Sequence, residues 1–133
     1  NIVEKPTLAI CVGMQMLLES SEENGGIKGL NLIDGKVQRI LNSETVKVPH
    51  MGWNQVNIEH AAPILKGIDN NTYFYFVHSY YVVPSDPSVI SVTSDYDGTF
   101  CAGIWRDNLF ATQFHPEKSQ RAGLQLLQNF SEI

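Results

Sequence analysis

The stretch TLAICVGMQMLLES, residues 7–20, changes its hydrophobic period in the middle, and this change constrains the fold more than any other feature of the chain. Thr7–Ile10 is a short apolar run typical of a buried strand, whereas the methionine and leucine residues after it recur at helical spacing. We therefore predict a strand that turns at Cys11 into a helix over about 13–20. A strand that leads at once into a helix is typical of proteins in which helices cover a sheet.

Short strand signals fill most of the remaining chain. Apolar or alternating runs bounded by turn residues predict strands in the segments LIDGKVQRI, VKVPHMGWNQVNI, NNTYFYFVHSYYVV, VISVTSDY, FCAGIWRDN and LFATQFHP. Within them we expect a turn at Asp34–Gly35, and a break at Pro49 after which the strand resumes near Gln55.

Two further segments carry helical patterns. Residues 62–65 predict a single helical turn, and Gln120–Phe130 predicts an amphipathic helix with Leu124, Leu127 and Phe130 facing inward. The order of strand and helix, then strands, then a closing helix predicts a single α/β domain with a mixed sheet covered by helices.

Charge and hydrophobicity exclude several functions. The chain has 133 residues and a formal net charge of −5, and its nine basic residues are scattered, which argues against a surface for nucleic acid or an anionic membrane. It has no apolar stretch long enough to span a bilayer, and its start lacks the pattern of a signal peptide. We therefore expect a cytoplasmic protein.

The two cysteines do not form a metal-binding motif. Cys11 and Cys101 are far apart and neither belongs to a C-x-x-C pair, so we expect no metal and no cofactor. Reduced thiols are the favoured interpretation, and a disulfide between the two stays open at this level.

Cys11 stands where the predicted strand meets the predicted helix. A nucleophile on such a corner is pushed out of the sheet and exposed, and the start of a helix lowers the pKa of a thiol. The N–H of Val12 is placed to bind a developing oxyanion, and Gly13 lets a substrate approach the backbone, so we assign both to an oxyanion site. The alternative is a buried cysteine that acts as a small apolar residue.

A thiol nucleophile needs a base and a group that orients the base. In TQFHPEKSQ, the predicted strand carries His115 to its end and Pro116 stops it. Glu117 follows at i+2, which in an extended chain points to the same side. We expect Glu117 to hold one imidazole nitrogen of His115 while the other nitrogen faces the thiol. The alternative is an ordinary half-exposed histidine at the end of a strand.

Two other histidines are weaker candidates. His50 lies in PHMGWN, where proline and glycine predict a loop with Trp53 as an anchor of the core or of an interface. His78 lies inside a predicted strand, and a half-buried histidine with satisfied hydrogen bonds is the favoured interpretation.

Together, CVGMQ, PHMGWN, YFVHSYY and QFHPEKSQ in this order resemble the class I (triad) glutamine amidotransferases. Within that class, PHMGWN and FHPEKSQ resemble the glutaminase subunits of imidazole glycerol phosphate synthase, an enzyme of histidine biosynthesis. The resemblance extends from about Pro6 to Phe130. It implies a three-layer, flavodoxin-like α/β fold with a mixed sheet.

The resemblance also implies a reaction. Cys11 would attack the side-chain amide of glutamine, His115 would pass a proton to the leaving ammonia, and Glu117 would orient His115. The resulting γ-glutamyl thioester would be hydrolysed to glutamate. The ammonia would pass through a channel to a (β/α)₈-barrel cyclase subunit, which makes imidazole glycerol phosphate.

Further site residues are implied by position in the family motifs. Gln15 and Glu23 match residues that bind the glutamine substrate, and Ser79 and Tyr80 match a strand whose backbone holds its carboxylate. The positions that match a surface near the ammonia entrance of the cyclase are His50, Met51, Gly52, Trp53, Asn54 and Lys118.

The chain departs from the family pattern in two ways. Ala9 stands where family members usually carry glycine, and we expect its methyl group to perturb the corner. The resemblance also implies a preceding segment with a Gly-rich loop that supplies a second oxyanion donor. We therefore expect this chain to correspond to the C-terminal two-thirds of a truncated domain. Two alternatives stay open: the chain is a fragment whose missing part exists elsewhere, or it forms a homo-oligomer that buries the uncovered surfaces by self-association or strand exchange.

Two alternatives follow from these departures. The first is a truncated amidotransferase module with impaired catalysis that self-associates. The second is a different Cys–His–Glu hydrolase, such as a γ-glutamyl hydrolase, for which PHMGWN and EKSQ would have no evident purpose.

Overall fold

The structure is a computed structural model that describes residues 4–21, 27–41, 43 and 46–133. Its strands are β1 (Thr7–Ile10), β2 (Leu18–Ser21), β3 (Ile27–Lys28), β4 (Ile33–Arg39), β5 (His50–Ile58), β6 (Tyr73–His78), β7 (Tyr80–Pro84), β8 (Ile90–Asp95), β9 (Thr99–Arg106) and β10 (Leu109–Thr112). The α-helices are α1 (Val12–Gln15) and α2 (Gln120–Ser131), and 3₁₀ turns lie at Pro63–Leu65, Pro87–Val89 and Pro116–Lys118.

The described strands form a branched mixed sheet, which confirms the predicted class of sheet. Its main path runs β3-β2-β4-β7-β9-β8-β5-β6, and β10 pairs antiparallel with β9 and parallel with β1. In the parallel pair Ile10 lies opposite Thr112, so the residues that follow β1 and β10 emerge at the same end of the sheet.

Two apolar clusters cover the two faces of the sheet. Along β10, Leu109 and Ala111 belong to one cluster and Phe110 to the other, because side chains alternate between faces. All four residues of β10 are buried, as expected for a strand covered on both sides. Helix α2 places Leu126 in one cluster and α1 places Met14 in the other. The sheet with its two covering layers agrees with the predicted three-layer arrangement.

The helix predicted over 13–20 is wrong in its second half. Helix α1 ends at Gln15 and β2 begins at Leu18. The carbonyl of Leu17 accepts hydrogen bonds from the backbone N–H groups of Leu32 at 2.9 Å and Ile33 at 3.0 Å. Contacts with a segment distant in sequence thus replace the intrahelical bonds, while the leucines keep the buried positions that made the stretch look helical.

The turn predicted at Asp34–Gly35 is also wrong, since β4 is continuous through both residues. Gly35 has φ 140°, and a Cβ atom there would lie 2.8 Å from the Cα of Pro84 in β7. Glycine stands at this position because β7 approaches closely. It does not mark a reversal of the chain.

The loop predicted for PHMGWN is a strand. Pro49, whose peptide bond with Val48 is cis, precedes β5, and β5 then runs without a break from His50. Pairing with β6 places His50 opposite His78 and Trp53 opposite Tyr75. The ladder with β6 therefore outweighs the local loop signal of proline and glycine.

The closing helix is confirmed, but its predicted inward face is rotated. Leu126 is fully buried, whereas Leu124 is 67% exposed and Leu127 and Phe130 are only partly buried. Gly123 lies on the inward face, where the helix comes so close to the backbone of Pro116 that a Cβ atom would overlap it. No helix in the described part of the chain is long and apolar enough to cross a membrane.

Candidate active site

Cys11 lies on the corner between β1 and α1, as predicted. Its backbone has φ 55° and ψ −107°, a region that residues other than glycine rarely occupy. Its N–H donates to the carbonyl of Thr112 at 2.7 Å, and its own carbonyl accepts from Gln15 N at 3.2 Å. The corner is therefore fixed between β10 and the first turn of α1, and backbone strain of this kind is concentrated at functional positions.

The Cys11 side chain is buried, which makes the expectation of an exposed thiol wrong. It is 9% exposed, and its Sγ donates to the carbonyl of Val77 at 3.7 Å and accepts from Gln113 Nε2 at 3.6 Å. Burial raises the pKa of the Cys11 thiol, and the N–H of Val12 and the Gln113 amide oppose this only in part. The direction is opposite to the one predicted from the helix start, because desolvation outweighs the four-residue helix.

The predicted oxyanion residues lie at the start of α1. The first intrahelical hydrogen bond runs from Gln15 N to the Cys11 carbonyl, so the N–H groups of Val12 and Gly13 point out of the helix start. A Cβ atom on Gly13 would lie 3.5 Å from the Cβ of Ala9. Glycine at 13 therefore leaves ordinary space for the Ala9 methyl group, and the corner accommodates the alanine.

His115 and Glu117 form the predicted pair. His115 Nδ1 lies 3.1 Å from Glu117 Oε2, with side chains 17% and 47% exposed. The local structure differs from the prediction, since β10 ends at Thr112 and Glu117 folds back from the 3₁₀ turn Pro116–Lys118. The pairing leaves Nε2 as the imidazole nitrogen that can accept a proton from a thiol.

The backbone around His115 is anchored on both sides. Its N–H donates to the carbonyl of Tyr75 in β6 at 2.9 Å, and its carbonyl accepts from Ser119 Oγ at 2.7 Å. The position of the imidazole is therefore determined by β6 and by the turn that precedes α2.

The predicted catalytic residues lie at the same end of the sheet, where β1 and β10 terminate. Cys11 follows β1, and the segment with His115 and Glu117 follows the adjacent parallel strand. The charges of Glu117 and Lys118 both act on the pKa of Cys11, the first raising it and the second lowering it. The fold thus places at one end of the sheet residues that lie about a hundred positions apart in the sequence.

Of the predicted substrate-binding residues, three can be placed. Gln15 Nε2 donates to the carbonyl of Tyr80 at 3.1 Å, so Gln15 and Tyr80 belong to one cluster. Ser79 lies at the bend between β6 and β7, and its carbonyl accepts from Ile40 N at 2.9 Å. Glu23 lies outside the described residues.

The segment predicted to face a partner divides into an outer and an inner face. Met51 and Trp53 are 62% and 46% exposed, and they lie on one side of β5, as alternate residues of a strand do. The Trp53 ring contacts Tyr75 edge to face, with 5.9 Å between ring centroids. These side chains form an exposed aromatic and apolar surface.

The other predicted interface positions behave differently. His50 is buried and Asn54 is half-buried, and both turn inward on β5. Gly52 has φ 130° with open space where a Cβ would stand, and Lys118 is exposed on the turn beside Glu117. His50 and Asn54 therefore have a structural role that the sequence motif did not indicate.

Comparison with known proteins identifies the family. The family model described as glutamine amidotransferase class-I matches residues 1–133. The chain belongs to the class I glutamine amidotransferases. Curated relatives of this amidotransferase include the imidazole glycerol phosphate synthase subunit HisH of Acinetobacter baylyi, 58% identical over 132 residues, and that of Syntrophotalea carbinolica, 54% identical over 134 residues.

The alignments cover nearly all of this amidotransferase chain and part of each relative. They include 98% and 97% of the chain, and 64% and 65% of the Acinetobacter and Syntrophotalea proteins. The chain thus spans a little under two thirds of the length of these relatives.

Solved structures support the same fold at lower sequence identity. A glutamine amidotransferase from Thermotoga maritima matches with a TM-score of 0.61 and 18% identity, over 96% of this chain and 47% of that chain. The glutaminase domain of Trypanosoma brucei CTPS matches with a TM-score of 0.62 and 17% identity, over 96% and 60%. These likenesses concern the fold alone.

Gln113 lies in the candidate site of this amidotransferase, although the sequence motifs did not indicate it. Its side chain is fully buried; Nε2 donates to Cys11 Sγ, and Oε1 accepts from Gln15 Nε2 at 3.3 Å. The signal was a long polar side chain in the apolar run LFATQFHP, two residues before His115. A buried amide requires partners, and here it joins Cys11 to Gln15, a predicted substrate-binding residue.

The two thiols of the amidotransferase differ, and neither joins a disulfide. Cys11 and Cys101 are both free, which confirms the favoured interpretation, and burial raises the pKa of Cys101 to about 12.

A cavity of about 240 Å³ lies apart from Cys11 and shares no lining residue with the candidate site. Its lining includes Ile40, Tyr81, Tyr96 and Phe100. Within the described residues, no cluster of three or more metal-ligating side chains occurs.

Proposed function

We propose that this chain hydrolyses the side-chain amide of glutamine, with Cys11 as nucleophile, His115 as acid and base, and Glu117 as the group that orients His115. The observation that supports the proposal is that a cysteine on a strained corner follows β1, while a histidine–carboxylate pair follows the adjacent parallel strand β10. Membership of the class I glutamine amidotransferases supports glutamine as the substrate.

In the proposed reaction, His115 Nε2 takes the proton of Cys11 while Sγ forms a bond to the amide carbon. The tetrahedral intermediate then collapses, the C–N bond breaks, and His115 returns the proton so that ammonia leaves. Water attacks the thioester with His115 again as base, which releases glutamate and the free thiol. The raised pKa of Cys11 supports the need for a base, because the buried thiol does not ionise readily on its own.

The remaining site residues have supporting roles in the proposal. The N–H groups of Val12 and Gly13 bind the oxyanion. Gln15 and Gln113 form the polar wall beside Cys11, and the backbone at Ser79–Tyr80 holds the substrate. The donor pattern around Cys11 and Tyr80 supports this arrangement.

We further propose that the ammonia serves a (β/α)₈-barrel cyclase partner in imidazole glycerol phosphate synthase. The names of the relatives at 58% and 54% identity support this assignment. The proposed contact surface consists of the exposed residues Met51, Trp53 and Lys118, the last of which directly follows Glu117 in the sequence. Self-association of the chain stays a prediction, which sedimentation at micromolar concentration tests.

The direct test of the proposed chemistry is covalent capture of the nucleophile. The protein is incubated with a diazoketone analogue of glutamine and its intact mass is measured, together with Cys11→Ala and, as the matched control, Cys101→Ala. We expect one adduct in the unchanged protein and in Cys101→Ala, and none in Cys11→Ala. A folded protein that forms no adduct would contradict the proposal and support the module with impaired catalysis.

A second measurement separates the synthase role from that of another hydrolase. Glutamine hydrolysis is measured with and without the cyclase subunit, and γ-glutamyl peptides are offered as competing substrates. We expect the cyclase to stimulate glutamine hydrolysis. Hydrolysis of γ-glutamyl peptides that does not depend on the cyclase would instead support a γ-glutamyl hydrolase.

A further inference from the structure

A chain of hydrogen bonds leads from β5 to the site through two buried histidines. Asn54 Nδ2 lies 3.3 Å from His50 Nε2, and His50 Nδ1 lies 3.0 Å from His78 Nε2. His78 Nδ1 then lies 2.8 Å from the carbonyl oxygen of Tyr80. His50 and His78 are 4% and 5% exposed, and the proposed reaction uses neither of them.

The Tyr80 end of this series of hydrogen bonds determines which ring nitrogens donate. A carbonyl oxygen can only accept, so His78 Nδ1 carries the hydrogen that bonds to Tyr80. The Nε2 atom of a neutral His78 is then an acceptor, and His50 Nδ1 must donate to it. His50 Nε2 is in turn an acceptor.

The Asn54 end of the series gives the same assignment of hydrogens to the ring nitrogens, from independent contacts. Asn54 Oδ1 accepts from the N–H of Gln55 at 2.8 Å, so Nδ2 is the amino end of this amide. Nδ2 donates to the carbonyl of Asp95 at 2.8 Å and has its second hydrogen for His50 Nε2. Both histidines are therefore locked as neutral rings that carry the hydrogen on Nδ1.

The rings are also held by packing and kept neutral by burial. The His50 ring lies between the faces of Phe76 and Tyr96, at centroid distances of 4.9 Å and 4.0 Å. Burial is the main reason why the pKa values of both His50 and His78 are lowered to about 4, and it outweighs the hydrogen bond to Tyr80, which raises the pKa of His78. At neutral pH both rings are uncharged, as the donor assignment requires.

The series of hydrogen bonds ends at the carbonyl oxygen of Tyr80, which also holds the Gln15 side chain. The Tyr80 oxygen accepts two hydrogen bonds, from His78 Nδ1 and from Gln15 Nε2. The second hydrogen of Gln15 Nε2 goes to Gln113 Oε1. Both hydrogens of the Gln15 amide are thus engaged within the protein, and its carbonyl oxygen is the end that can accept a hydrogen bond from a ligand.

We propose that His78, locked in one tautomer by His50, is a positioning residue that holds the Tyr80 carbonyl and, through it, the Gln15 amide in the orientation that binds glutamine. The inference rests on the proposed function, and it adds two buried histidines to which the proposed reaction gives no chemical step. It predicts an effect on KM for glutamine rather than on the chemical step.

Two substitutions of similar size at His78 test the role. In His78→Asn, Nδ2 takes the place of Nδ1 and can still donate to Tyr80, whereas His78→Leu has no donor. We expect His78→Leu to raise KM for glutamine about tenfold, with a smaller change in kcat, because one buried hydrogen bond is lost and its acceptor is left with one donor fewer. We expect His78→Asn to stay near the unchanged protein.

A readout that does not need activity accompanies the kinetics. The side-chain NH₂ resonances of Gln15 are followed by ¹H–¹⁵N NMR, and the ring nitrogens of His78 by long-range ¹H–¹⁵N correlation. We expect hydrogen on Nδ1 of His78, and a shift of the Gln15 resonances in His78→Leu but not in His78→Asn. If His78→Leu does not fold, His50→Phe removes the bond between the rings and keeps the stack on Phe76 and Tyr96, and it should disturb the His78 tautomer.

The outcomes separate this inference from the proposed function. Hydrogen on Nε2 of His78, or equal KM values for His78→Asn and His78→Leu together with unmoved Gln15 resonances, would overturn the positioning role. If the unchanged protein neither hydrolyses glutamine nor reacts with its diazoketone analogue, the proposed function fails. The Gln15 resonances then still decide whether His78 sets the orientation of that amide.

Discussion

Gln113 Nε2 donates a hydrogen bond to Cys11 Sγ over 3.6 Å, from a side chain with no exposed surface. The two residues follow adjacent parallel strands, so the register of the sheet sets the distance between them. A donor at this place favours the thiolate and opposes the burial that raises the pKa of Cys11. The pairing of β1 with β10 therefore places Gln113 where its amide lowers the pKa of the Cys11 thiol.

Replacing this donor should move the pH at which Cys11 reacts. In Gln113→Leu we expect the pKa of the thiol to rise further above its ordinary value, since a hydrogen bond that favours the thiolate is lost. A thiolate is lost as the pH falls through its pKa, so the rate of alkylation by iodoacetamide should drop most below that pKa. Intact mass against time at several pH values measures this, with Cys101, whose pKa lies at about 12, as the unreactive internal control. An unchanged profile would mean that Gln113 acts on shape alone.

The charge of Glu117 should matter more than its volume. In Glu117→Gln the amide can donate to His115 Nδ1, which favours the ring with hydrogen on Nε2, and this ring cannot accept the Cys11 proton. We expect kcat to fall on the order of 10²-fold or more, with KM for glutamine little changed. Steady-state kinetics check this, with Glu132→Gln, an exposed carboxylate at the end of α2, as the matched control. A loss in KM alone would assign Glu117 to substrate binding.

The two buried histidines, His50 and His78, should make the folded protein less stable in mild acid. Their pKa values in the folded protein, about 4, lie below the 6.5 of a free histidine, so the unfolded chain binds more protons between these values. Their contribution to the free energy of unfolding is complete above about pH 6.5 and falls as the pH is lowered toward 4. Urea unfolding from pH 7.5 to 4.5 should show a falling midpoint, with a weaker dependence on pH in His50→Phe. Equal slopes for the two proteins would contradict the assignment.

The sequence predicts the His115–Glu117 pair and the corner at Cys11 because both depend on residues that are close in sequence. Cys11 lies where a strand signal gives way to a helix, and a proline and a glutamate follow His115 directly. The details differ, since the Glu117 contact comes from a 3₁₀ turn and not from extended chain. Residues close in sequence meet in either geometry, which is why the pairing could be predicted.

The parts that could not be predicted depend on distant contacts. The burial of Cys11 comes from Val77 and Gln113, and the strand at PHMGWN comes from pairing with β6. The two histidines share no local pattern, because His50 and His78 meet only when β5 and β6 align. Tertiary hydrogen bonds of this kind override local propensity, and the sequence carries no periodic trace of them.

The exposed face of β5 should serve the partner and not the chemistry. In Trp53→Ala we expect stimulation of glutamine hydrolysis by the cyclase subunit to fall more than basal hydrolysis, because large aromatic side chains dominate interface energies. Leu124→Ala, an exposed apolar position on α2, is the control that should leave both rates unchanged. Equal losses of basal and stimulated activity would show that Trp53 supports the site from within.

A side chain at Gly123 should both destabilise α2 and displace the turn that carries Glu117 beside His115. A Cβ atom at Gly123 would overlap the carbonyl oxygen of Pro116 and lie 2.7 Å from its carbon, on the turn that carries Glu117. Alanine is favoured over glycine in helices by about 1 kcal/mol, but this clash involves backbone, and overpacking costs about 1–3 kcal/mol. We therefore expect Gly123→Ala to lower the free energy of unfolding and to reduce kcat by displacing Glu117 from His115. Urea unfolding and steady-state kinetics on Gly123→Ala and Leu124→Ala measure both effects. A more stable and fully active Gly123→Ala would mean that the turn can move without disturbing the catalytic pair.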